Sequence, residues 1–355
     1  MNRMVKCLGI ESTAHTFGCS VIDFPVKGDG LGLANVLSDN RDMYVASSGT
    51  GIHPREASRH HSEVALSVLR SSLDNAATSI KDINIIAYSA GPGLGPCLRI
   101  GAVVARTLAA YYKKPLLAVN HALGHIELGA ALTGASDPVV LLVSGGHTII
   151  VVFSRKRWRI FGETLDITLG QLIDQFGRQI GLGSPCGGKI ESLAQGSSQN
   201  YLQLPYVVKG NDVCFSGLLT SAVRQMSTEN TSVADLCYSL QETAFAMTTE
   251  TLERAISFSA KKEALVVGGV CANKRLCEMI QGACQRQGAE PFFCPLPFAG
   301  DNGVQIAWTG LVDYITNPRY VTVDKSFIDQ SWRLDSIDVR WRIRGPLFRL
   351  TASAI

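Results

Sequence analysis

Leu8-Gly9-Ile10-Glu11-Ser12-Thr13-Ala14-His15-Thr16-Phe17-Gly18 and Leu141-Leu142-Val143-Ser144-Gly145-Gly146-His147-Thr148-Ile149-Ile150 decide the fold. In each, an apolar run yields to a short polar or glycine turn and then resumes, which reads as strand, turn, strand. The first unit joins runs at 5–10 and 18–23, the second runs at 139–143 and 148–153. Working outward, 83–88 reads as a strand, the Gly/Pro-rich stretch 89–96 as a turn, and 98–112, rich in Ala and Val, as a helix. Residues 264–267 run into Gly268-Gly269-Val270-Cys271-Ala272-Asn273 and a further helix. Strands alternating with helices predict an α/β architecture. Two halves that each open with the same unit predict a duplicated lobe with a cleft between. The chain divides at an N-terminal lobe, 1–117, a C-terminal lobe, 118–317, and a segment, 318–355, that turns basic and irregular.

Composition bounds the function. The chain has 355 residues, 46% hydrophobic and 18% charged, which is ample apolar material for two packed lobes. A net charge of +3 is too small to announce nucleic-acid binding by itself. Its distribution is more telling, because 319–349 holds seven Lys/Arg against four Asp. The stretch Arg155-Lys156-Arg157-Trp158-Arg159 interleaves an aromatic with cations, a pattern that suits a solvated hairpin turn and an RNA contact equally well. Ten scattered cysteines form no CxxC pair, so they read as small hydrophobes in a reducing compartment. The start runs directly into a strand without a signal-peptide core, and no apolar run has the length of a membrane span. A soluble, cytoplasmic protein is expected.

The chemistry begins with His121 and His125. Four residues is just over one helical turn, so both imidazoles leave one helix face and can share a metal ion. Far downstream, Phe298-Ala299-Gly300-Asp301-Asn302-Gly303 offers Asp301 as an oxygen ligand at a turn into a helix. A zinc protease would carry a glutamate beside the first histidine, and Ala122 stands there instead. Glycines after strands let backbone N–H groups approach anionic oxygens, and Ser144-Gly145-Gly146-His147 and Gly268-Gly269 both fit. No Walker loop or Rossmann fingerprint accompanies them. Asp174 and Glu191 are candidates to accept ribose hydroxyls, with Gly187 and Gly188 admitting a sugar or base closely. The plain reading of Asp174 and Arg178, four apart, is a helical ion pair. An actin-like ATPase or small-molecule kinase would need a carboxylate base, for which Glu11 is the candidate. A nucleotide-binding scaffold without turnover is a third reading.

Seven segments together resemble one family. They are Leu8 to Thr16, Gly51-Ile52-His53-Pro54-Arg55-Glu56-Ala57, Gly91-Pro92-Gly93-Leu94-Gly95-Pro96-Cys97-Leu98-Arg99, Asn120-His121 with His125, Val143 to Thr148, Phe215-Ser216-Gly217-Leu218-Leu219-Thr220 and Gly300-Asp301-Asn302-Gly303. The chain is identified by them, from about residue 6 to 317, as similar to the tRNA N6-adenosine threonylcarbamoyltransferases, the Kae/TsaD family, formerly called O-sialoglycoprotein endopeptidases. The Gly91 to Arg99 wording resembles the archaeal and eukaryotic branch, whose members work in the KEOPS complex. The resemblance implies an actin-like ATPase fold with two duplicated lobes around a nucleotide and metal cleft. It implies that His121, His125 and Asp301 hold one divalent metal, iron (Fe2+) or zinc, and act in catalysis. It implies nucleotide contacts from Ser144, Gly145, Gly146, His147, Asp174, Gly187, Glu191 and Asn273, with the ATP/AMP-type nucleotide as a moiety of the substrate.

The implied reaction moves threonylcarbamoyl from threonylcarbamoyl-AMP to N6 of adenosine 37 in tRNAs that read codons beginning with A. The implied partners are tRNA and KEOPS subunits, including a small atypical kinase and a small dimerising subunit, with no membrane. Because the donor is already activated, the protein need only orient the amine and stabilise developing charge. That accounts for metal ligands beside phosphate turns without a nucleophile–base pair. The basic tail and the 155–159 cluster are candidate phosphate contacts. The sequence departs from the family at Leu142, where archaeal members place a tyrosine that joins the metal shell, which implies three protein ligands and an open position. It also departs at Cys186, where the family has glycine.

Overall fold

The two strand–turn–strand units each open a separate β-sheet. The computed structural model describes residues 3–26, 33–47, 49–227, 231–318, 320–344 and 349–351. In the first sheet, β1 (Arg3–Glu11) and β2 (Thr16–Val26) pair antiparallel, with Cys7 opposite Ile22. β3 (Leu33–Met43) continues antiparallel, and β4 (Ile85–Gly91) and β5 (Leu116–Asn120) add parallel strands on the other side. In the second sheet, β6 (Val139–Val143), β7 (Thr148–Ser154) and β8 (Arg157–Glu163) run antiparallel. A small hairpin of β9 (Val208–Lys209) and β10 (Asp212–Val213) follows, and then β11 (Glu263–Val267) and β12 (Glu290–Phe293) join parallel beside β6. The last strand, β13 (Arg349–Thr351), returns to the edge of the first sheet beside β3. The parallel strands are joined through helices, as parallel pairing requires.

The helices are α1 (Pro54–Asn75), α2 (Gly95–Tyr112), α3 (His121–Thr133), α4 (Leu169–Gln179), α5 (Gly187–Gln195), α6 (Ser216–Gln225), α7 (Val233–Ser259), α8 (Lys274–Gln287), α9 (Leu296–Ala299) and α10 (Gly303–Thr316). α2 starts three residues before the position expected from the sequence. Its glycines read as loop, yet Pro96 fits a first helical turn, where a missing N–H costs nothing. α3 and α10 are apolar nearly all round, the mark of a helix enclosed on every side. Residues 121–130 and 303–312 are buried accordingly. α10 lies across β1, β2 and β4 of the first sheet and also touches α3. The approach is so close that a Cβ on Gly9 would stand 2.2 Å from the Gly303 carbonyl oxygen, so no other residue fits there. Alternate residues of β1 feed opposite cores: Leu8 and Ile10 join the smaller apolar cluster with α1 and α2, Val5 and Cys7 the larger.

All ten cysteines are unpaired, eight of them buried, as expected of small hydrophobes. Among the described residues no helix is long and apolar enough to cross a membrane. The C-terminal segment is a strap rather than a loose tail. Tyr88 Oη donates to the Phe327 carbonyl, the Asp329 N–H to the Ala90 carbonyl, and Asn120 Nδ2 to the Trp332 carbonyl. It then crosses to the second lobe, where Trp341 and Arg342 reach α3. Arg319 and residues 345–348, part of the stretch read as basic, lie outside the described residues.

Candidate metal centre and nucleotide cleft

α3 begins at His121 because Asn120, extended at the end of β5, caps it: Oδ1 accepts the Leu123 N–H at 3.0 Å. His121 and His125 therefore share a helix face, their rings edge to face with centroids 4.7 Å apart. The turn into α10, capped by Asn302 on the Gln305 N–H, brings Asp301 opposite. Asp301 Oδ1 lies 3.4 Å from His121 Nε2 and 3.3 Å from His125 Nε2. One ligand atom from each residue falls within 4.8 Å of the others, a group that can hold a metal ion. Metal–ligand bonds of about 2.1 Å in tetrahedral array place donors about 3.4 Å apart, so the nitrogen–oxygen separations fit.

Glu11, fully buried at the end of β1, lies behind this group. Its Oε2 is 3.0 Å from His121 Nδ1, and its Oε1 accepts the Thr13 N–H and Oγ1–H at 2.6 and 2.5 Å. Gln305 Nε2 stands 3.1 Å from the same His121 nitrogen. A carboxylate on Nδ1 fixes the tautomer and turns Nε2 toward Asp301, the outer arrangement expected of a metal-bound histidine. Glu11 is the base that the kinase alternative needs. Its burial and its bonds to Thr13 and His121 leave no approach for an acceptor hydroxyl.

The electrostatics follow from burial and close carboxylates. Burial opposes charge on His121, yet Glu11 and Asp301 outweigh it and push its pKa up to about 9. Burial lowers His125, the Asp301 hydrogen bond only partly offsetting it. Asp301 is buried too, and the histidines around it still hold its carboxyl well below the usual range. His147 lies parallel to His121, ring centroids 6.1 Å apart, with a buried, unpartnered Nδ1. Burial first, then His121 and His125, push its pKa down to about 3, so it is neutral.

The structure brings the expected phosphate turn to this centre. Ser144 Oγ accepts the Gly146 and His147 N–H groups at 3.1 and 3.0 Å, and the Thr168 hydroxyl donates to the Gly145 carbonyl. A Cβ on Gly145 or Gly187 would meet nothing within 4 Å, so the protein's own packing does not demand glycine at either. Gly268 has φ +95 and presses on the Val143 carbonyl, which sets the second glycine turn beside the first. Asp174 pairs not with Arg178 but with the Cys186 N–H, Oδ1 accepting at 2.9 Å, while Arg178 Nη1 donates to Ser184 Oγ. Cys186 thus occupies its turn with an orienting bond to its backbone. Glu191 Oε1 accepts the Lys274 N–H at 2.9 Å, joining α5 to α8 beside Asn273. Asn273 is engaged at both ends, capping α8 through Leu276 and donating to Gln241. A cavity of about 640 Å³ opens against Leu182, Pro185, Gly188, Lys189, Ser192 and Leu193. Leu142 is buried within β6.

A sequence signature described as "TsaD: tRNA N6-adenosine threonylcarbamoyltransferase" matches residues 33–308. Proteins named tRNA N6-adenosine threonylcarbamoyltransferase from Staphylothermus marinus and Ignicoccus hospitalis are 44% and 46% identical, over 94% of this chain and 99% of each relative. The chain belongs to this transferase family. A further relative at 44% identity, from Methanothermobacter thermautotrophicus, is named a probable bifunctional tRNA threonylcarbamoyladenosine biosynthesis protein, and the match covers 94% of this chain and 60% of that protein. Among solved structures, HypF from T. kodakarensis superposes with a TM-score of 0.60 at 14% identity, covering 90% of this chain and 49% of that one. Full-length HypF in a phosphate- and nucleotide-bound form gives 0.56 at 12% identity, over 88% and 47%. At such identities the likeness shows fold alone, and the two-lobed actin-like ATPase fold expected from the sequence is the fold of this family member.

Proposed function

We propose that the chain transfers threonylcarbamoyl from threonylcarbamoyl-AMP to N6 of adenosine 37 in tRNAs reading codons that begin with A, as the catalytic subunit of a KEOPS assembly in the cytoplasm. The observation that carries this reading is the convergence of two imidazole nitrogens and a carboxylate on one point, with Glu11 orienting His121 and the Ser144–His147 turn alongside. His121, His125 and Asp301 would hold one divalent ion, iron or zinc, since imidazole and carboxylate suit both. When bound, it supplies a positive charge that polarises acyl and phosphate oxygens.

The chain's own residues do the rest. The space left open at Gly145, where a Cβ would meet nothing, would take the AMP phosphate, and Ser144 Oγ holds the turn by accepting the Gly146 and His147 N–H groups. Asp174, Gly187 and Glu191 would take the sugar side, next to the cavity bounded by Gly188 and Lys189 on α5, and Asn273 caps α8 after the second glycine turn. Neutral His147 adds no repulsion to the cation pocket and closes it on one side. In the reaction the adenosine N6 lone pair forms the new C–N bond to the carbamoyl carbon. The C–O bond to phosphate breaks, AMP leaves with the electron pair, and an N6 proton passes to solvent. The extra length of the bifunctional Methanothermobacter relative supports a second protein unit working with this one. We read that unit as the small kinase, with a small dimerising subunit beside it.

The test is mass spectrometry of nucleosides from tRNA incubated with threonine, bicarbonate, ATP, an adenylate-forming synthase and this chain with its partners. Threonylcarbamoyladenosine is expected with the wild type and is lost with Asp301→Ala at retained fold. Undiminished product from metal-free Asp301→Ala protein, or phosphate transfer to a sugar in place of AMP release, would overturn the reading.

A further inference from the structure

Two basic stretches far apart in sequence are folded into one surface. β7 and β8 join through a two-residue turn at Arg155 and Lys156, and the Lys156 carbonyl accepts the Val339 N–H at 2.7 Å. Asp338 pairs with Arg157, Nε to Oδ1 at 2.6 Å. Arg340 and Lys156 also face Asp338, and together with Arg157 they hold its carboxyl below the ordinary range. The strap is pinned here by Glu127, whose carboxylate accepts Trp341 Nε1 at 2.8 Å and Arg342 Nε at 2.7 Å. Arg342 lies 4.8 Å over the Trp158 ring, so it too is occupied. Arg340 is thereby fixed beside the hairpin tip. Arg159 leaves β8 on the same side as Arg157, two residues away. Five cations gather on this surface against Asp338 and Asp313, the latter a half-buried carboxyl within the influence of Arg340.

The turn itself is strained. Arg155 and Lys156 have φ +51 and +68, left-handed backbone at two successive residues that carry a Cβ. Such a tight turn is cheapest as Asn-Gly, and a residue that carries a Cβ strains the backbone at either position. The chain instead projects two long cations from the tip. Observed strain of this kind points toward a function for what it displays. Arg155, Lys156, Arg159 and Arg340 are exposed, and none of the large exposed apolar side chains belongs to 153–159 or 337–342. A protein partner needs a buried apolar anchor, whereas charge without one suits a phosphate backbone.

We propose that this hairpin-and-strap surface binds the phosphate backbone of tRNA, with Arg155, Lys156, Arg159 and Arg340 as the contacts. The inference rests on the transferase reading and adds where the RNA lies. β7 runs from Thr148, beside the Ser144–His147 turn, to Ser154, about 20 Å at the usual rise per residue. The surface therefore takes phosphates remote from the target adenosine.

The experiment measures fluorescence anisotropy of an unmodified tRNA transcript with the full chain and with its partners, across a salt series. R155N/K156G removes two cations and relieves the turn. Its thermal midpoint is expected to rise while tRNA affinity falls about tenfold and the slope of log K against log salt drops by about one to two. R155Q/K156Q keeps the strained turn and should lose the same affinity without the thermal gain. Wild-type affinity and slope in both variants would overturn the proposal. So would unchanged tRNA binding with weakened capture of a partner subunit, which would make the surface a protein contact. If the wild type itself neither binds tRNA nor yields product, the transferase reading fails and takes this inference with it.

Discussion

Raising the pH should loosen the metal-free protein, and a bound metal should remove the part of the effect that one histidine causes. The cause is His121, which Glu11 and Asp301 keep protonated to about pH 9 in the fold against an ordinary 6.5. A group whose pKa is raised by folding stabilises fully below its unfolded value and loses that contribution as pH climbs through the folded one. Between pH 6.5 and about 8.5 the loss from His121 is about 2 kcal/mol, and the thiols, which burial raises in the fold, add an alkaline loss of their own that does not depend on metal at this centre. On the acid side His147 and His61 act oppositely. Burial pushes them down to about 3 and about 4, so the unfolded chain gains protons first and stability falls below pH 6.5. Metal-free protein should thus be most stable near pH 7. Urea denaturation followed by tryptophan fluorescence at pH 6.5 and about 8.5 measures the alkaline limb. With saturating Zn2+ His121 carries no proton at either pH, so its share of the alkaline loss should vanish and the thiols' share remain. Stability that stays flat or rises without metal, or falls equally with it, would refute the assignment of Glu11, His121 and Asp301 as one charge-compensated group.

Two substitutions probe neighbouring parts. Glu11→Gln removes the carboxylate behind His121 and should weaken metal binding about 10- to 100-fold in competition with a chromophoric chelator, and an unaltered affinity would remove Glu11 from the outer shell. Glu127→Ala strands the Trp158 and Trp341 indoles and the Arg342 guanidinium; a loss of about 3 to 5 kcal/mol is expected in urea denaturation, and a loss below about 1 would show that the strap is held by packing alone.

Local pattern carried much of the fold. Both hairpin units, the helix under His121 and the capped turn at Asp301 are short-range features, so strand alternation, capping chemistry and residue spacing suffice to see them. The partners of those features are set by tertiary packing and left weaker marks. Glu11 sits 110 positions from His121, and its own neighbourhood reads as a generic polar turn. Glu127 did leave a signal, the lone carboxylate in a helix whose remaining residues, apart from His121, His125 and Thr133, are apolar, which demands buried donors. Asp174 and Arg178 show the converse error, since correct helical spacing yielded no ion pair once the Cys186 N–H offered a better match. Only the charge of the tail is legible in its sequence, because its order comes from α3, the first sheet and the β7–β8 turn.

The seating of α10 on the first sheet has a mechanical consequence. Asp301 immediately precedes that helix, and the histidines immediately follow β5 of the same sheet, whereas the Ser144–His147 turn hangs from the second. α3, however, packs against β11 and β6 of the second sheet as well as against α10, so His121, His125 and Asp301 sit at the seam of the two sheets. Any change in how the two sheets meet would thus be felt at the His–His–Asp group and at the Ser144–His147 turn together, as a hinge pin feels both of its leaves.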